Sequence, residues 1–506
     1  MCSPSVISTH GVYSLATRVV GLPFLTVLLR SPPPSMKTSR LLAPERRAIV
    51  GLASLYATRM LGLFMVLPVL ALYTRDLAGA TPTLVGVALG GYGLTQALLQ
   101  IPFGWLSDRL GRKAVIGFGL GLFILGSLVA ANADSIEMII LGRCLQGSGA
   151  VAGAIMALLA DQTREEVRTM AMASIGMSIG VAFALAMVAG PLAADAFGLS
   201  GVFWLTAIMA VASVFVLWKL VPAAPRRQHQ DVGLDRRQLK GILANSALLR
   251  MDVSIFALHM ILTACFVAIP QQLVNFGIAP AHHGWVYLPL MGLAFVAMLP
   301  LVIVAEKYRR MKPVFLGAVA TIATSLLLLG VDGIEHAGLV PFLGLLWLFF
   351  VAFNLLEATL PSMISKLAPA GAKGTAMGVY STSQFLGAFV GGVGGGWLTG
   401  HFGLSGVFFG MGLLALLWLA VVWNMQPPRH LGSEVVGLSP EAARLPAVEL
   451  QTRLLAIAGV EEALVVREEQ VAYLKVTRDT LDDKALATFT RQRDGETPAG
   501  AEAPAS

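Results

Sequence analysis

Twelve long apolar runs are the feature that most constrains how this chain can fold. A helix needs about 20 predominantly apolar residues to cross the hydrocarbon core of a bilayer. Because lipid offers the backbone no hydrogen-bond partners, runs of this length cross it as helices. The runs cover residues 47–73, 83–106, 114–132, 136–159, 171–194, 201–221, 254–275, 285–305, 314–331, 339–364, 376–400 and 404–424.

The composition excludes several classes of function. Charged residues make up 13% of the chain, against about 25% in soluble proteins. The net charge of +7 comes from Lys and Arg between the apolar runs, where they set orientation, and nucleic-acid binding is not expected. The cysteines Cys2, Cys144 and Cys265 provide neither a disulfide framework nor a metal-ligand spacing. Since neither the phosphate-binding pattern G-x-x-x-x-G-K-[ST] nor the zinc-hydrolase pattern H-E-x-x-H occurs, the sequence predicts no enzyme, no metal and no cofactor, with a proton gradient as the energy source.

Basic residues alternate sharply between the gaps that separate the runs. One set of alternate gaps contains clusters of Lys and Arg, as at 109–113 and 307–312, whereas the other set contains Arg75 alone. Loops rich in Lys and Arg stay in the cytoplasm. We therefore expect a multi-pass protein of the bacterial inner membrane, with the lipid bilayer as a partner and both termini cytoplasmic.

A short segment occurs twice. Residues 197–203, Phe-Gly-Leu-Ser-Gly-Val-Phe, recur unchanged as residues 402–408, an offset of 205. Each copy opens the last run of a set of six; the alternative explanation is convergence on a common turn. The repeat predicts an all-α membrane protein of twelve transmembrane helices in two pseudo-symmetric six-helix halves. In transporters such halves rock against each other around a central site.

The segments outside the runs differ in composition. The apolar stretch 19–29 is too short to span a bilayer, and a start at Met36 is the alternative to a disordered leader. The central linker ends in a basic amphipathic stretch that is expected to lie on the anionic inner leaflet. The predicted divisions are 1–45 (N-terminal extension, disordered or a mis-assigned start), 46–221 (N-terminal half), 222–250 (cytoplasmic linker), 251–425 (C-terminal half), 426–445 (linker), 446–492 (small cytoplasmic domain) and 493–506 (disordered tail).

The loop between runs 2 and 3 combines glycines with charges. Glycine permits close helix approach or tight turning, and a carboxylate at a helix end can pair with an arginine or face another helix's positive N-terminus. Such contacts would exist in only one arrangement of the halves and would act as a gate. The alternative is a solvated cluster that only sets orientation. The candidate gating residues are Gly104, Asp108, Arg109, Gly111, Arg112 and Lys113.

Three ionisable residues lie deep within apolar runs: Arg59, Arg143 and Glu357. A charge at the bilayer centre costs about 3 kcal/mol on insertion scales, so each is expected to face the bundle interior and to have a partner or water. Glu357 is the only deep acid and is the candidate for proton exchange. The alternative is a structural ion pair that holds helices in register.

Other polar residues in the runs permit two interpretations. Asp252, near the start of run 7, is interpreted as an interfacial charge. His259 could titrate, although a single His on an apolar helix is more often a hydrogen-bonded core residue. The side-chain amides either line a cavity or bond between helices. The candidate cavity residues are Gln96, Gln100, Gln146, His259, Gln271, Asn354 and Gln384.

The gating loop resembles the signature of the major facilitator superfamily. Residues 104–113 are similar to its pattern G-x-L-x-D-R-x-G-R-K, and residues 306–310 are a weaker copy. Residues 141–147, around Arg143, resemble the buried-arginine motif of proton-coupled members. The resemblance implies the facilitator fold and a gating role for the loop.

Run 5 carries a second family feature. Gly190-Pro191 resembles the antiporter motif, with Ala193 and Ala194 where the family has paired glycines. Together with residues 59–68 and 353–361, these features make about residues 45–490 look like the YajR-type branch of the twelve-helix drug:proton antiporters. The implied function is proton-coupled efflux of small amphipathic compounds, with the substrate and protons as partners. The alternatives are import of another small solute and a transport-inactive membrane sensor.

The chain after run 12 has the composition of a small soluble domain. The pattern predicts helices at 447–458 and 480–489, the second capped by Thr480 or Asp482, and strands at 460–466 and 471–477, with an initial strand near Val435. It resembles ferredoxin-like α+β domains of the heavy-metal-associated type, but it lacks their CxxC. We therefore expect a regulatory or assembly module without metal, through which the protein could self-associate.

Overall fold

The computed structural model describes residues 41–74, 77–222, 236–331, 338–369, 372–426, 432–466, 470–477 and 480–490. The predictions for the N-terminal extension, for Arg75, for most of the central linker and for the tail fall largely outside these residues.

The described residues form twelve apolar spans. Ten helical segments are long and apolar enough to cross a membrane, and two of them are 50 residues long. At 1.5 Å per residue such a helix is about 75 Å long, which is more than twice the thickness of a hydrocarbon core. Each therefore contains two spans. Spans 1–4 are Ala43–Tyr73, Pro82–Leu110, Arg112–Ala131 and Ile136–Asp161; spans 5 and 6 are 165–197 and 199–219; spans 7–10 are Ser246–Asn275, Pro280–Glu306, Met311–Leu329 and Leu339–Leu367; spans 11 and 12 are 373–402 and 404–422.

The repeated segment makes the same turn in both halves. Gly198 has φ 68° and ψ −175°, and Gly403, its equivalent 205 residues later, has φ 69° and ψ −169°. Only glycine adopts this conformation readily. A single residue thus separates spans 5 and 6, and another separates spans 11 and 12, where the sequence predicted gaps of several residues.

Two spans are broken. Span 1 consists of helices Ala43–Met65 and Leu67–Tyr73, the second with Pro68 in its first turn, where proline needs no backbone donor. Span 4 consists of helices Ile136–Ser148 and Ala152–Asp161. The sequence analysis predicted a continuous helix at both places.

Within each half, glycine lets two spans meet backbone to backbone. A Cβ on any of three glycines of span 11, spaced one turn apart, would collide with the backbone of span 7. The contacts join Gly387 to Phe256, Gly391 to Met260 and Gly395 to Ala264. In the N-terminal half, Gly190 of span 5 meets the carbonyl of Met65 in span 1 in the same way. Because residues 190 and 395 differ by the repeat offset, the two halves share this packing.

The two halves pack against each other at one end. We call the end of the bundle that carries residues 108–113 the basic end. At the opposite end, Gly86 and Gly90 of span 2 abut the backbone of Gly392 and Phe389 in span 11. Toward the middle, the rings of Phe183 and Phe353 lie 6.5 Å apart across the interface.

At the basic end the equivalent positions are open. A Cβ on Gly104 of span 2 or Gly378 of span 11 would meet no described atom within 4 Å. The halves therefore separate toward the basic end, and the interior between them opens there.

The C-terminal domain is a small α+β unit. Its elements are β1 Gly432–Gly437, α2 Ala447–Leu455, β2 Val460–Val466, β3 Val471–Val476 and α3 Asp483–Ala487; α1, Arg236–Ala244, precedes span 7. The antiparallel sheet has the order β1-β3-β2. Asp482 caps α3 by accepting from the backbone N–H groups of Lys484 and Ala485. The predicted strands are confirmed to within a residue, whereas both helices are shorter than predicted.

One face of this sheet rests on the C-terminal half. Lys475 points away from the domain's core, yet its side chain is only 3% exposed. Its Nζ donates to the carbonyl of Lys366, at the end of span 10 (3.2 Å), and to Glu462 of β2 (3.4 Å). A cation at the C-terminus of a helix is favoured by the helix dipole, so Lys475 attaches the domain to span 10.

Gly392→Val tests the contact between the halves. The new side chain would collide with the backbone of Gly86 and Gly90, and such overpacking costs about 1–3 kcal/mol. We expect the halves to separate at the opposite end, which raises the labelling rate of a cysteine introduced at Thr83 in a cysteine-free background. Gly378→Val, on the same span but in open space, is the control and should not raise it. Equal labelling of both variants would contradict this packing.

Candidate functional site

Arg59 lies in the interior of the N-terminal half, 2% exposed. Its Nη2 donates to the hydroxyl of Tyr92 (2.8 Å), to Oε1 of Gln96 (2.7 Å) and to the carbonyl of Gly149 (2.8 Å). The Gly149 carbonyl is available because span 4 is broken there. The break that the sequence did not predict therefore supplies an acceptor for the buried cation.

Arg143 lies beside it, 1% exposed. Its guanidinium donates to Oε1 of Gln146 (2.9 Å) and, at 3.3 Å, to the carbonyls of Ala88 and Leu89. The amide of Gln146 donates in turn to Ser127 of span 3 (2.8 Å). Arg143 thus connects spans 2, 3 and 4.

Neutral groups compensate both arginines. Their guanidinium carbons lie 5.9 Å (Arg59) and 5.3 Å (Arg143) from the centre of the Tyr92 ring, within the range of cation–π attraction. Among the described residues neither cation is within ion-pair distance of a carboxylate. The expectation that each has a partner is met by dipoles and a ring, although Nε and Nη1 of Arg59 are buried without a hydrogen-bond partner, and within the described part of the chain neither arginine forms the structural ion pair that was the alternative.

The glutamines of this half that were candidate cavity residues are instead engaged in hydrogen bonds within the helix bundle. Gln96, Gln100 and Gln146 are at most 7% exposed. Gln96 bonds to Arg59 and, through its amide, to Gln100 on its own span (2.8 Å). They hold helices together rather than line the interior between the halves.

The C-terminal half places an acid and an imidazole together. The amide of Gln384 in span 11 donates to Nε2 of His259 in span 7 (2.8 Å) and to Oε1 of Glu357 in span 10 (3.3 Å). Nε2 of His259 lies 3.8 Å from Oε2 of Glu357. The Glu357 side chain is 35% exposed, so the acid is accessible from the opening between the halves.

His259, Glu357 and Gln384 form a triad, and the remaining polar candidates of this half lie outside it. Asn354 is half-buried, one turn from Glu357 on span 10. Gln271 is near the opposite end and donates to the carbonyl of Val267 in its own helix (2.8 Å).

Asp252 differs from its sequence interpretation. The structure buries it in span 7, 4% exposed, and Oδ1 has no hydrogen-bond partner. It is therefore not an interfacial charge. Hydropathy indicates the depth of a residue but not the side of the helix on which it lies, so the sequence offered no signal for this burial.

The gating loop is a network of charges within the N-terminal half. Arg112 pairs with Asp108 (2.5 Å) and with Asp161 at the end of span 4 (2.6 Å). Nζ of Lys113 donates to the carbonyl of Val221 after span 6 (2.8 Å). These contacts tie spans 2, 3, 4 and 6 together, and Asp161 was not among the predicted residues.

The other loop residues have simpler roles. Gly111 has φ 95° between spans 2 and 3, a conformation that favours glycine. Arg109 stacks on the Trp105 ring at 3.9 Å. Gly104 faces open space, and in span 5 Gly190 packs against span 1, followed by the buried Pro191.

The weaker copy of the loop also forms an ion pair. Glu306 accepts from Nζ of Lys366 (2.6 Å) and from the hydroxyl of Ser362 (3.0 Å), both in span 10. Lys366 is the residue whose carbonyl accepts from Lys475, so the C-terminal domain attaches beside this ion pair.

These features define a class: a membrane transporter built of two like halves, with a network of charges at one end and polar side chains in the interior. The Major Facilitator Superfamily model matches residues 52–273 and 251–459, and the YajR YAM domain model matches residues 440–482. The chain belongs to the major facilitator superfamily and is a transporter of the YajR type, and the predicted fold class is confirmed.

Individual proteins show the same likeness. The chain is 47% identical to the inner membrane transport protein YajR of Escherichia coli (strain K12) over 85% of its own length and 94% of that protein. It is 25% identical to the multidrug resistance protein MdtH of Aeromonas salmonicida (strain A449), over 73% and 93%. The crystal structure of a D-xylose-proton symporter covers 76% of this chain and 97% of that one, with a TM-score of 0.61 at 17% identity, which shows the fold alone. This chain is accordingly a multi-pass inner-membrane protein.

Arg59→Met tests the buried cluster. It would leave the acceptors on Gln96, Tyr92 and Gly149 without their charged donor, and an unmade bond to a charged group costs about 1.5–3 kcal/mol. We expect a lower midpoint of thermal unfolding in detergent. Arg109→Met, which removes an exposed cation–π contact, is the control and should change the midpoint little. A midpoint that Arg59→Met leaves unchanged would contradict a structural role for the cluster.

Proposed function

We propose that this transporter exports small amphipathic compounds in exchange for protons, by alternating access. The observation that carries the proposal is Glu357, whose carboxylate lies beside His259 and Gln384 and whose side chain is 35% exposed although Oε2 itself is buried. An acid at such a position can take up or release a proton when the opening changes sides, and a substrate that competes for the same site is then coupled to the proton.

The direction follows from orientation. Positively charged loops favour a cytoplasmic position for the basic end. The described arrangement, which opens toward that end, is then the one that loads substrate from the cytoplasm. The similarity to a multidrug resistance protein supports export of several amphipathic compounds over import of one polar solute.

The Asp108 loop is proposed to stabilise the other arrangement. In the cytoplasm-open form the described partners of Asp108 and Arg112 belong to the N-terminal half. When the halves meet at the cytoplasmic end, the Asp108 carboxylate can face the C-terminal half as one side of a latch. Its expected location beside the N-terminus of a span of that half would add the attraction of a helix dipole.

Glu357→Gln tests proton coupling. The amide keeps the size of the side chain but cannot give up a proton, so the variant should lose dye uptake driven by a pH gradient in proteoliposomes. Exchange of the same amphipathic dye without a gradient should remain, because alternating access itself is intact. Glu449→Gln, an acid of the C-terminal domain, is the control. Gradient-driven uptake at the wild-type rate would refute the role of Glu357, and absence of dye movement in the wild type would favour import of another solute or a sensor.

Asp108→Asn tests the latch. One charge-assisted contact contributes about 1.5–3 kcal/mol, which shifts a two-state equilibrium by roughly tenfold or more at 1.4 kcal/mol per decade. We expect faster labelling of a cysteine introduced at Gly378, which faces the cytoplasmic opening, and slower transport. Asp134→Asn, in a loop at the opposite end, is the control. If labelling and transport both stay at wild-type values, the loop only sets orientation.

A further inference from the structure

The strongest unexplained feature outside the triad is a buried acid, Asp252, about two turns into span 7. It is 4% exposed, and Oδ1 is buried without a hydrogen-bond partner. Burial of an ionised carboxylate without compensation is far more costly than burial of the neutral acid. The geometry therefore favours a proton on Asp252 in the cytoplasm-open form.

Span 11 places further unpartnered polar groups at the same level. Spans 7 and 11 run parallel, and the pairs Gly387 with Phe256 and Gly391 with Met260 set their register. The same register puts Asp252 level with residue 383. The hydroxyls of Tyr380 and Thr382, which precede that level by three residues and by one, are likewise buried and without partners.

Tyr380 lies near both acids but bonds to neither, since its hydroxyl has no hydrogen-bond partner. Its side chain is 3% exposed and lies within electrostatic range of both Asp252 and Glu357. Oε2 of Glu357 is also buried without a hydrogen bond. One helix interface thus holds two carboxyl groups with a hydroxyl near both, and all three have unused hydrogen-bonding capacity.

No cation among the described residues compensates Asp252. Arg250, on the same span, donates to the carbonyl of Asn424 (3.5 Å), and Lys240 of α1 is exposed. On span 11, Lys373 is the first residue of the helix, about two turns before Tyr380. It lies within electrostatic range of Lys475 and Glu462 of the C-terminal domain. His259 lies about two turns further along span 7 and faces Glu357. Spans 1 and 2 meet span 7 toward the opposite end.

We infer that Asp252 is a second proton-carrying carboxyl group, coupled to Glu357 through Tyr380. Two carboxyl groups that interact give up their protons in two steps that belong to the pair. Asp252 exchanges its proton with water of the cytoplasmic opening, and its charge shifts the proton affinity of Glu357. The inference rests on the proposed proton coupling at Glu357, and it adds a second titrating site to the transport cycle.

The test is infrared difference spectroscopy of the full chain in lipid, as the pH is varied, with the C=O stretch of protonated carboxyl groups as the readout. In the wild type two buried carboxyl components should titrate. Asp252→Asn should remove one of them and Glu357→Gln the other. Tyr380→Phe should keep both but slow the H/D exchange of the Asp252 component about tenfold, which corresponds to about 1.4 kcal/mol in the barrier.

A second measurement needs no variant. A hydrophobic carbodiimide, which modifies protonated carboxyl groups in apolar surroundings, should label Asp252 in the wild type, as detected by mass spectrometry, and leave the exposed Glu449 unmodified.

For the infrared experiment, Thr382→Val on span 11 is the matched control for Tyr380→Phe. It should keep both infrared components and their exchange rates.

The outcomes separate the two proposals. If Asp252→Asn leaves both components in place, or the carbodiimide does not label Asp252, the inference is overturned while the role of Glu357 stands. If Glu357→Gln removes no component, the proposed coupling at Glu357 fails, and with it the coupling of Asp252 to that residue. Wild-type exchange rates in Tyr380→Phe would exclude the connection through the hydroxyl.

Discussion

The rest of the structure depends on the backbone contact that glycine permits between neighbouring spans. In lipid the hydrophobic effect does not drive helices together, so close van der Waals packing must do so. Gly387, Gly391 and Gly395 hold span 11 to span 7 within one half, whereas Gly392 on a neighbouring face meets span 2 of the other. One helix therefore carries both a permanent contact and a contact that must break when the halves move.

The buried charges divide between the halves by their chemistry. Arg59 and Arg143 are surrounded by carbonyls, amides and an aromatic ring. This fixed environment suits guanidinium groups, which stay charged in proteins. The acids of the other half, Glu357 and Asp252, retain oxygens without partners. An acid in such a place can change its charge with only small rearrangement. This contrast favours the C-terminal half as the place of the proposed proton-dependent step.

The sequence predicted the spans, the two halves and the three-stranded domain because hydropathy, an internal repeat and alternation are properties of the chain alone. It could not predict the break in span 4, since Gly147-Ser148-Gly149 suits close packing of an intact helix equally well. The environments of Arg59 and Asp252 were missed for a related reason. They depend on how each span is rotated about its axis, which tertiary packing decides. The triad around Glu357 was predicted as separate residues, and only the fold brought them together.

The C-terminal domain and Glu357 are connected through span 10. Lys475 contacts the end of span 10, and Glu357 lies on the same helix about two and a half turns earlier. One helix joins the two positions, with Pro361 between them as a point at which it can bend, and a displacement of its end also moves Glu357 relative to Gln384 and Tyr380 on span 11. Because Lys475 binds the backbone carbonyl of Lys366 while the side chain of that residue pairs with Glu306, the domain can act on span 10 without breaking the ion pair. Attachment of the domain and the position of the acid are therefore linked through one helix.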